Sequence, residues 1–115
     1  MRLVKRRELM ALPAGTLFAE LLEPWVFGDL TLKGDTFWHN VGDDGDFWVL
    51  TLAWPEADDD GMSFNRLDEM QQDSTVSYPL EPAYSRHGLY DDDRQYLVYE
   101  AADTAFLIGL LKEQL

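Results

Sequence analysis

The side chains best able to do chemistry in this sequence are carboxylates, and they occur in clusters. The chain has 22 acidic residues against nine basic ones, which gives a formal net charge of −13. Such a surface repels nucleic acid, because phosphate binding needs clustered Lys and Arg. It attracts basic surfaces instead, through long-range electrostatic steering. The acids that we predict to bind a partner fall in three clusters: Asp43, Asp44 and Asp46; Glu56, Asp58, Asp59 and Asp60; and Asp91, Asp92 and Asp93.

The second cluster has the beginning of a calcium-binding loop. Glu56, Asp58 and Asp60 stand at positions 1, 3 and 5 of such a loop, and glycine follows at position 6. Position 12, where a bidentate glutamate completes the coordination sphere, is Leu67. The motif therefore fails at its closing ligand. We predict no specific metal site, and loose calcium binding is the third functional alternative.

The sequence contains no catalytic motif. His39 and His87 are the two histidines, and both lie in segments of loop-like composition. Ser85 is close to His87 in sequence, but catalytic triads converge in space rather than in sequence. A nucleophile elbow, a phosphate-binding glycine loop and a dinucleotide fingerprint are all missing, and there is no cysteine. We therefore predict a non-enzymatic protein with no catalytic residue and no cofactor.

The elements that must position these acids begin with the strand over residues 47–54. Its alternation places Trp48, Leu50, Leu52 and Trp54 on one face. The opposite face is also apolar, which is typical of a central strand covered on both sides. The acids that flank this strand cannot enter the core, so we expect them at the rims of the sheet.

The remaining pattern predicts an α+β fold, because strands come first and helices follow. We expect a single domain over residues 1–115, with an antiparallel sheet of three to five strands and with a mid-chain and a C-terminal helix packed on it. The other predicted strands are 16–22, 30–33 and 95–100, and residues 36–41 are either a short strand or a packed loop. The predicted helices are 5–12, 63–72 with Ser63 as its N-cap, and 104–114 with Asp103 as its N-cap. Residues 73–94 are predicted to be a loop.

The chain ends and the aromatic residues add two expectations. No apolar run approaches the roughly 20 residues of a membrane span, and no apolar stretch follows the basic segment Arg2–Arg7 as it would in a signal peptide. We expect a cytoplasmic protein whose basic segment lies on the acidic body. Most aromatic residues are expected in the core, with one or two near Asp43–Asp46 or Asp58–Asp60 as anchors of an interface.

Two segments resemble small phage-encoded proteins of uncharacterised activity. They are Glu8–Ala19 and Phe27–Gly34, and Tyr96–Glu100 repeats the similarity near the end of the chain. The resemblance carries no activity and no site residues. It implies an accessory gene of a kind that often encodes counter-defence inhibitors, anti-CRISPR proteins among them, which act in the host cytoplasm.

The preferred functional hypothesis is occlusion. Duplex DNA presents one negative charge per roughly 1.7 Å of axis, and proteins that bind it carry matching tracks of Lys and Arg. A rigid acidic fold can occupy such a track on a nucleic-acid-binding protein of a host defence complex, with no direct contact to nucleic acid or membrane. The alternative is a phage structural or adaptor protein that binds through an apolar, aromatic face. The sequence leaves homo-oligomerisation open.

Overall fold

The computed structural model describes residues 1–38 and 45–115, and its described strands form one antiparallel sheet. The strands are β1 (Arg2–Lys5), β2 (Leu17–Glu23), β3 (Val26–Phe27), β4 (Thr31–Trp38), β5 (Gly45–Thr51), β6 (Ala83–Arg86) and β7 (Gln95–Tyr99). The helices are α1 (Arg6–Ala11), α2 (Asp60–Gln72) and α3 (Ala101–Glu113). The strand order is β1-β7-β2-β4-β5-β6, with β3 paired to β2. The antiparallel α+β class is confirmed, and the predicted number of strands is wrong because the sheet has seven.

The additional strands are short segments that only their neighbours identify. β1 lies in the basic segment and pairs with β7, where Val4 is opposite Tyr96. β6 lies inside the predicted loop over residues 73–94 and pairs with β5, where Tyr84 is opposite Leu50. β3 has two residues and forms a hairpin with β2. None of these segments has a clear alternation of its own, so tertiary pairing decides their structure.

β4 includes Gly34 and Asp35, the pair that separates the predicted segments 30–33 and 36–41. The register between β4 and β5 shifts between Lys33 and Thr36, which is a bulge. A Cβ atom on Gly34 would lie 2.9 Å from the Cβ of Trp48 on β5. Gly34 therefore allows a close approach of two strands, and it does not end one.

The core lies on one face of the sheet, beneath α1. Phe47 and Val49 of β5 are buried there, together with Leu9 and Met10 of α1. Phe18 packs edge-on against Phe47, with ring centroids 6.2 Å apart. The other face, which was predicted to be covered as well, is only half-buried along its whole length: Trp48, Leu50, Leu52 and Trp54. α1 covers only the opposite face, so the pleat of β5 turns Phe47 and Val49 inward.

α2 and α3 begin earlier than predicted because other residues cap them. The Asp59 carboxylate accepts a hydrogen bond from the Met62 amide at 2.7 Å, so Asp59 is the N-cap of α2 in place of Ser63. Glu100 is the N-cap of α3, and the Asp103 carboxylate accepts the Glu100 amide in a reciprocal capping box. Within the described ranges, no helix has both the length and the apolar character that crossing a membrane requires.

Candidate partner-binding surface

The first predicted acidic cluster does not form an exposed site in the described part of the chain. Asp43 and Asp44 lie outside the described residues. Asp46 is fully buried at the start of β5. Its Oδ1 accepts a hydrogen bond from the Phe47 amide at 2.8 Å, and its two carboxylate oxygens lie 3.2 and 3.1 Å from the Gly88 amide nitrogen. Asp46 therefore has no exposed surface to offer a partner.

Two arginines neutralise the buried Asp46 carboxylate. Arg6, which is only 3% exposed, has its Nη2 3.8 Å from Asp46 Oδ1, and Arg86 Nε lies 3.3 Å from Oδ2. Burial alone raises the pKa of Asp46, but the amides of Phe47 and Gly88 and the Arg86 guanidinium outweigh it, so the pKa lies below its ordinary value. Asp46 is thus an ionised structural residue that ties α1, β5 and the segment after β6 together.

The third cluster is exposed but paired with basic residues. Lys5 Nζ lies 3.8 Å from Asp93 Oδ1, and Arg7 Nε lies 3.7 Å from Asp92 Oδ2. Arg94 Nε lies 3.8 Å from Asp91 Oδ2. The basic N-terminal segment therefore lies on this cluster, as predicted. These acids already have local counter-charges, and a basic partner would have to compete with them.

The second cluster stands at the start of α2 and is exposed throughout. Asp59 caps the helix, Asp60 is its first residue, and Glu56 and Asp58 precede it. A cavity of about 300 Å³ opens beside these acids, and Glu81 lines it together with Asp58, Asp59 and Asp60. This cluster is the part of the predicted site that the structure leaves available to a partner.

The surrounding segment, residues 56–81, is strongly unbalanced in charge. It contains eight acids and a single base, Arg66. The guanidinium of Arg66 lies 4.5 Å from the centroid of the Tyr78 ring. Every ion pair formed by the described residues involves other parts of the chain. The negative charge of this segment is therefore not compensated by neighbouring side chains.

An exposed aromatic residue lies within this acidic surface. Asp60, Phe64 and Asp68 are four residues apart, so they form one stripe along α2 of roughly 12 Å. Phe64 is 60% exposed, and its ring meets Trp54 edge-on with centroids 6.3 Å apart. We call Glu56, Asp58, Asp59, Asp60, Phe64 and Asp68 the α2 acidic surface. The sequence alone does not predict this exposure of Phe64, because it depends on how α2 packs against the rest of the domain.

His87 packs against the core face of the sheet. The sequence singles it out only because Ser85 is close to it. Its ring stacks on Phe47 with centroids 4.5 Å apart, and its Nε2 lies 3.3 Å from the Tyr96 hydroxyl. Burial lowers the pKa of His87 and raises the pKa of Tyr96 to about 12. At neutral pH the Tyr96 hydroxyl therefore keeps its proton and the His87 imidazole is neutral, and the two groups share a hydrogen bond. These contacts account for His87 as a packing residue, and His39 lies outside the described residues.

The calcium-like spacing at Glu56 does not converge on an ion site. Residue 67, the closing position of the loop, lies inside α2 and is a leucine. Across residues 1–38 and 45–115, no three carboxylate or imidazole side chains come together in a way that could hold a metal ion. The Asp59 carboxylate instead caps α2, and the side chains of Asp58 and Asp60 are exposed to solvent.

The chain was also compared with protein-family models, with curated proteins and with solved structures, and none of the three comparisons gives a significant match.

Proposed function

We propose that this protein is a non-enzymatic binding protein whose α2 acidic surface covers a basic nucleic-acid-binding surface of another protein. The observation that carries the proposal is the segregation of charge. Six of the nine basic residues form ion pairs outside residues 56–81, whereas residues 56–81 hold eight acids without an ion pair in the described chain. A surface with unpaired like charges attracts an oppositely charged partner over a Debye length, which is about 10 Å at 0.1 M ionic strength and longer at lower salt.

The stripe on α2 supplies a means of holding a partner after the encounter. Exposed charges steer association but contribute little to affinity once they are solvated. An aromatic side chain inside a polar rim is the usual form of an energetic hot spot. Phe64 has this position between Asp60 and Asp68. We infer that Phe64 inserts between the aliphatic stems of Lys or Arg residues of the partner while the aspartates contact their charged ends.

The proposed target is a protein that normally binds nucleic acid, because such proteins carry tracks of Lys and Arg matched to regularly spaced phosphates. Because of the resemblance to phage-encoded proteins, we propose a host defence complex, such as a CRISPR effector, as the first target to test. Binding there would exclude the nucleic acid by occupation alone, and it would need neither catalysis nor a sequence code.

The proposal is tested by capture from bacterial lysate at low and at high salt. The immobilised protein should retain a nucleic-acid-binding protein that is released by raising the salt, and duplex DNA should displace it competitively. A retained protein that resists both salt and DNA would contradict the proposal.

A second candidate, an adaptor that binds through an apolar face, is favoured by the hairpin of β2 and β3. Trp25 at its tip is 94% exposed, and Leu22, Val26 and Phe27 beside it are exposed as well. Two aromatic variants separate the candidates. Phe64→Ala should weaken capture if the α2 acidic surface binds the partner, whereas Trp25→Ala should weaken it if the hairpin does.

A further inference from the structure

α3 is an unusual surface helix because it is apolar on all sides. The eight residues from Thr104 to Leu111 carry no charge, and they cover more than two helical turns. No residue of α3 is buried by the described chain, and the side chains of Phe106, Ile108, Leu110 and Leu111 are exposed. A helix with apolar residues all round is normally enclosed by other structure.

The domain itself covers only one side of α3. The helix touches β7, and an apolar groove of about 650 Å³ remains between them. Leu17 and Tyr99 line the groove from the sheet, Leu12 lines it from the end of α1, and Ala105 and Ile108 line it from α3. Each molecule therefore has a projecting apolar helix and, at the base of that helix, an apolar groove.

We propose that two copies of this chain associate through α3, with the distal part of each helix seated in the groove of the other copy. A feature and its complement on one molecule close into a dimer when a two-fold axis relates the copies, so that each helix enters the groove of the other. The uncharged stretch of α3 contrasts with a body of net charge −13, so it is a place where two copies can meet without opposing acids. The same net charge disfavours an anionic membrane as the occupant.

The extent of the surface supports the use of both features. Stable interfaces bury about 800 Å² on each partner. Full burial of one large apolar side chain contributes about 1.5–3 kcal/mol, which at about 25 cal/mol per Å² corresponds to roughly 60–120 Å². The four exposed side chains of α3 therefore offer at most about 240–480 Å², which is less than the area that a stable pair needs. Contact between the helices alone is therefore too small, and the walls of the groove must contribute the remainder. Gly109 faces open space, because no described atom lies within 4 Å of the position of a Cβ on it.

Salt should act on this association in the opposite direction from its action on the α2 acidic surface. Two bodies of charge −13 repel each other, and salt screens the repulsion while it strengthens apolar association. The dimer should therefore tighten at least about threefold between roughly 50 and 500 mM NaCl. The inference does not rest on the proposed function, because neither of the two surfaces includes a residue of the other.

The experiment is sedimentation velocity of the full chain with one disrupting variant and one matched control. Leu111→Glu places a charge on α3, and Leu80→Glu places the same charge on a leucine of equal exposure, 69%, away from α3. The wild type and Leu80→Glu should sediment at twice the monomer mass of 13.2 kDa. Leu111→Glu should weaken the dimer at least tenfold, and Glu is a good helix former, so the helix should persist.

Three results would overturn the proposal. The first is a monomeric wild type at about 100 μM at both salt concentrations. The second is a dimer that Leu111→Glu leaves intact. The third is a monomer that binds phosphatidylcholine vesicles and loses this binding in Leu111→Glu, which would make lipid the occupant of α3.

Discussion

Neutralising the buried carboxylate of Asp46 should destabilise the fold severely, although it removes only one acid from an acidic protein. Asp46→Asn keeps the size of the side chain but leaves the guanidinium of Arg6, 3% exposed, without its counter-charge. Removing one partner of a buried ion pair typically costs about 3–5 kcal/mol. This is a large part of the roughly 5–15 kcal/mol by which small domains are stable.

The assay is urea unfolding followed by tryptophan fluorescence. At a slope of about 1–3 kcal/mol per molar of urea, the expected loss lowers the midpoint by roughly 1–5 M. Asp93→Asn is the control, because it makes the same chemical change in an exposed pair with Lys5 and should leave the midpoint unchanged. Equal midpoints for Asp46→Asn and Asp93→Asn would refute the assignment of Asp46 as a buried, ionised structural residue.

Three further changes test other parts of the fold: the His87 contact, the hairpin of β2 and β3, and the start of β5. Burial lowers the pKa of His87 below its ordinary 6.5, so as the pH falls the unfolded chain binds a proton before the folded chain does. The free energy of unfolding should therefore decrease as the pH drops below about 6.5. His87→Phe should remove most of this pH dependence of the urea midpoint. Trp25 has a φ of 73° at the hairpin tip, so Trp25→Gly should raise the free energy of unfolding by about 0.5–1 kcal/mol, and a lower stability would contradict the strain. A Cβ on Gly45 would lie 2.7 Å from the carbonyl oxygen of Phe37, so Gly45→Ala should lower the urea midpoint by an amount equivalent to about 1–3 kcal/mol.

The sequence was sufficient for the class of the fold and insufficient for the choice of buried face. Both faces of β5 are apolar, so alternation alone could not tell whether Trp48 or Phe47 points into the core. That choice depends on α1, which reaches the sheet because β1 pairs with β7 at the far end of the chain. Pairings between distant residues leave no local pattern, and for the same reason the sequence predicts a loop where β6 forms.

The candidate site was predictable where its acids stand on helix starts and turns. The exposure of Asp58, Asp59 and Asp60 follows from a proline and a glycine that flank them, since such segments lie at the surface. The burial of Asp46 was not predictable, because its partner Arg6 is distant in sequence and an acid before a strand is usually solvated. The paired state of the acids at 91–93 was accessible in principle, since the basic N-terminal segment was expected to lie on the acidic body.

The central claim is that the position of the acidic residues, and not their number alone, determines binding to the partner. Two variants of equal net charge test this claim. One neutralises four members of the α2 acidic surface: Glu56→Gln, Asp58→Asn, Asp60→Asn and Asp68→Asn. The other neutralises four exposed acids elsewhere: Glu23→Gln, Asp29→Asn, Asp35→Asn and Glu113→Gln. Each has four fewer negative charges, so the net charge changes from −13 to −9 in both.

The decisive measurement is the dissociation constant of each variant for the nucleic-acid-binding protein captured by the wild type, at one fixed low salt concentration. Loss of four charge contacts and an intact Phe64 should weaken the α2 variant at least about tenfold, while the other variant stays within roughly threefold of wild type. Equal weakening of both variants would show that net charge alone drives the binding, and it would contradict the assignment of the site to α2.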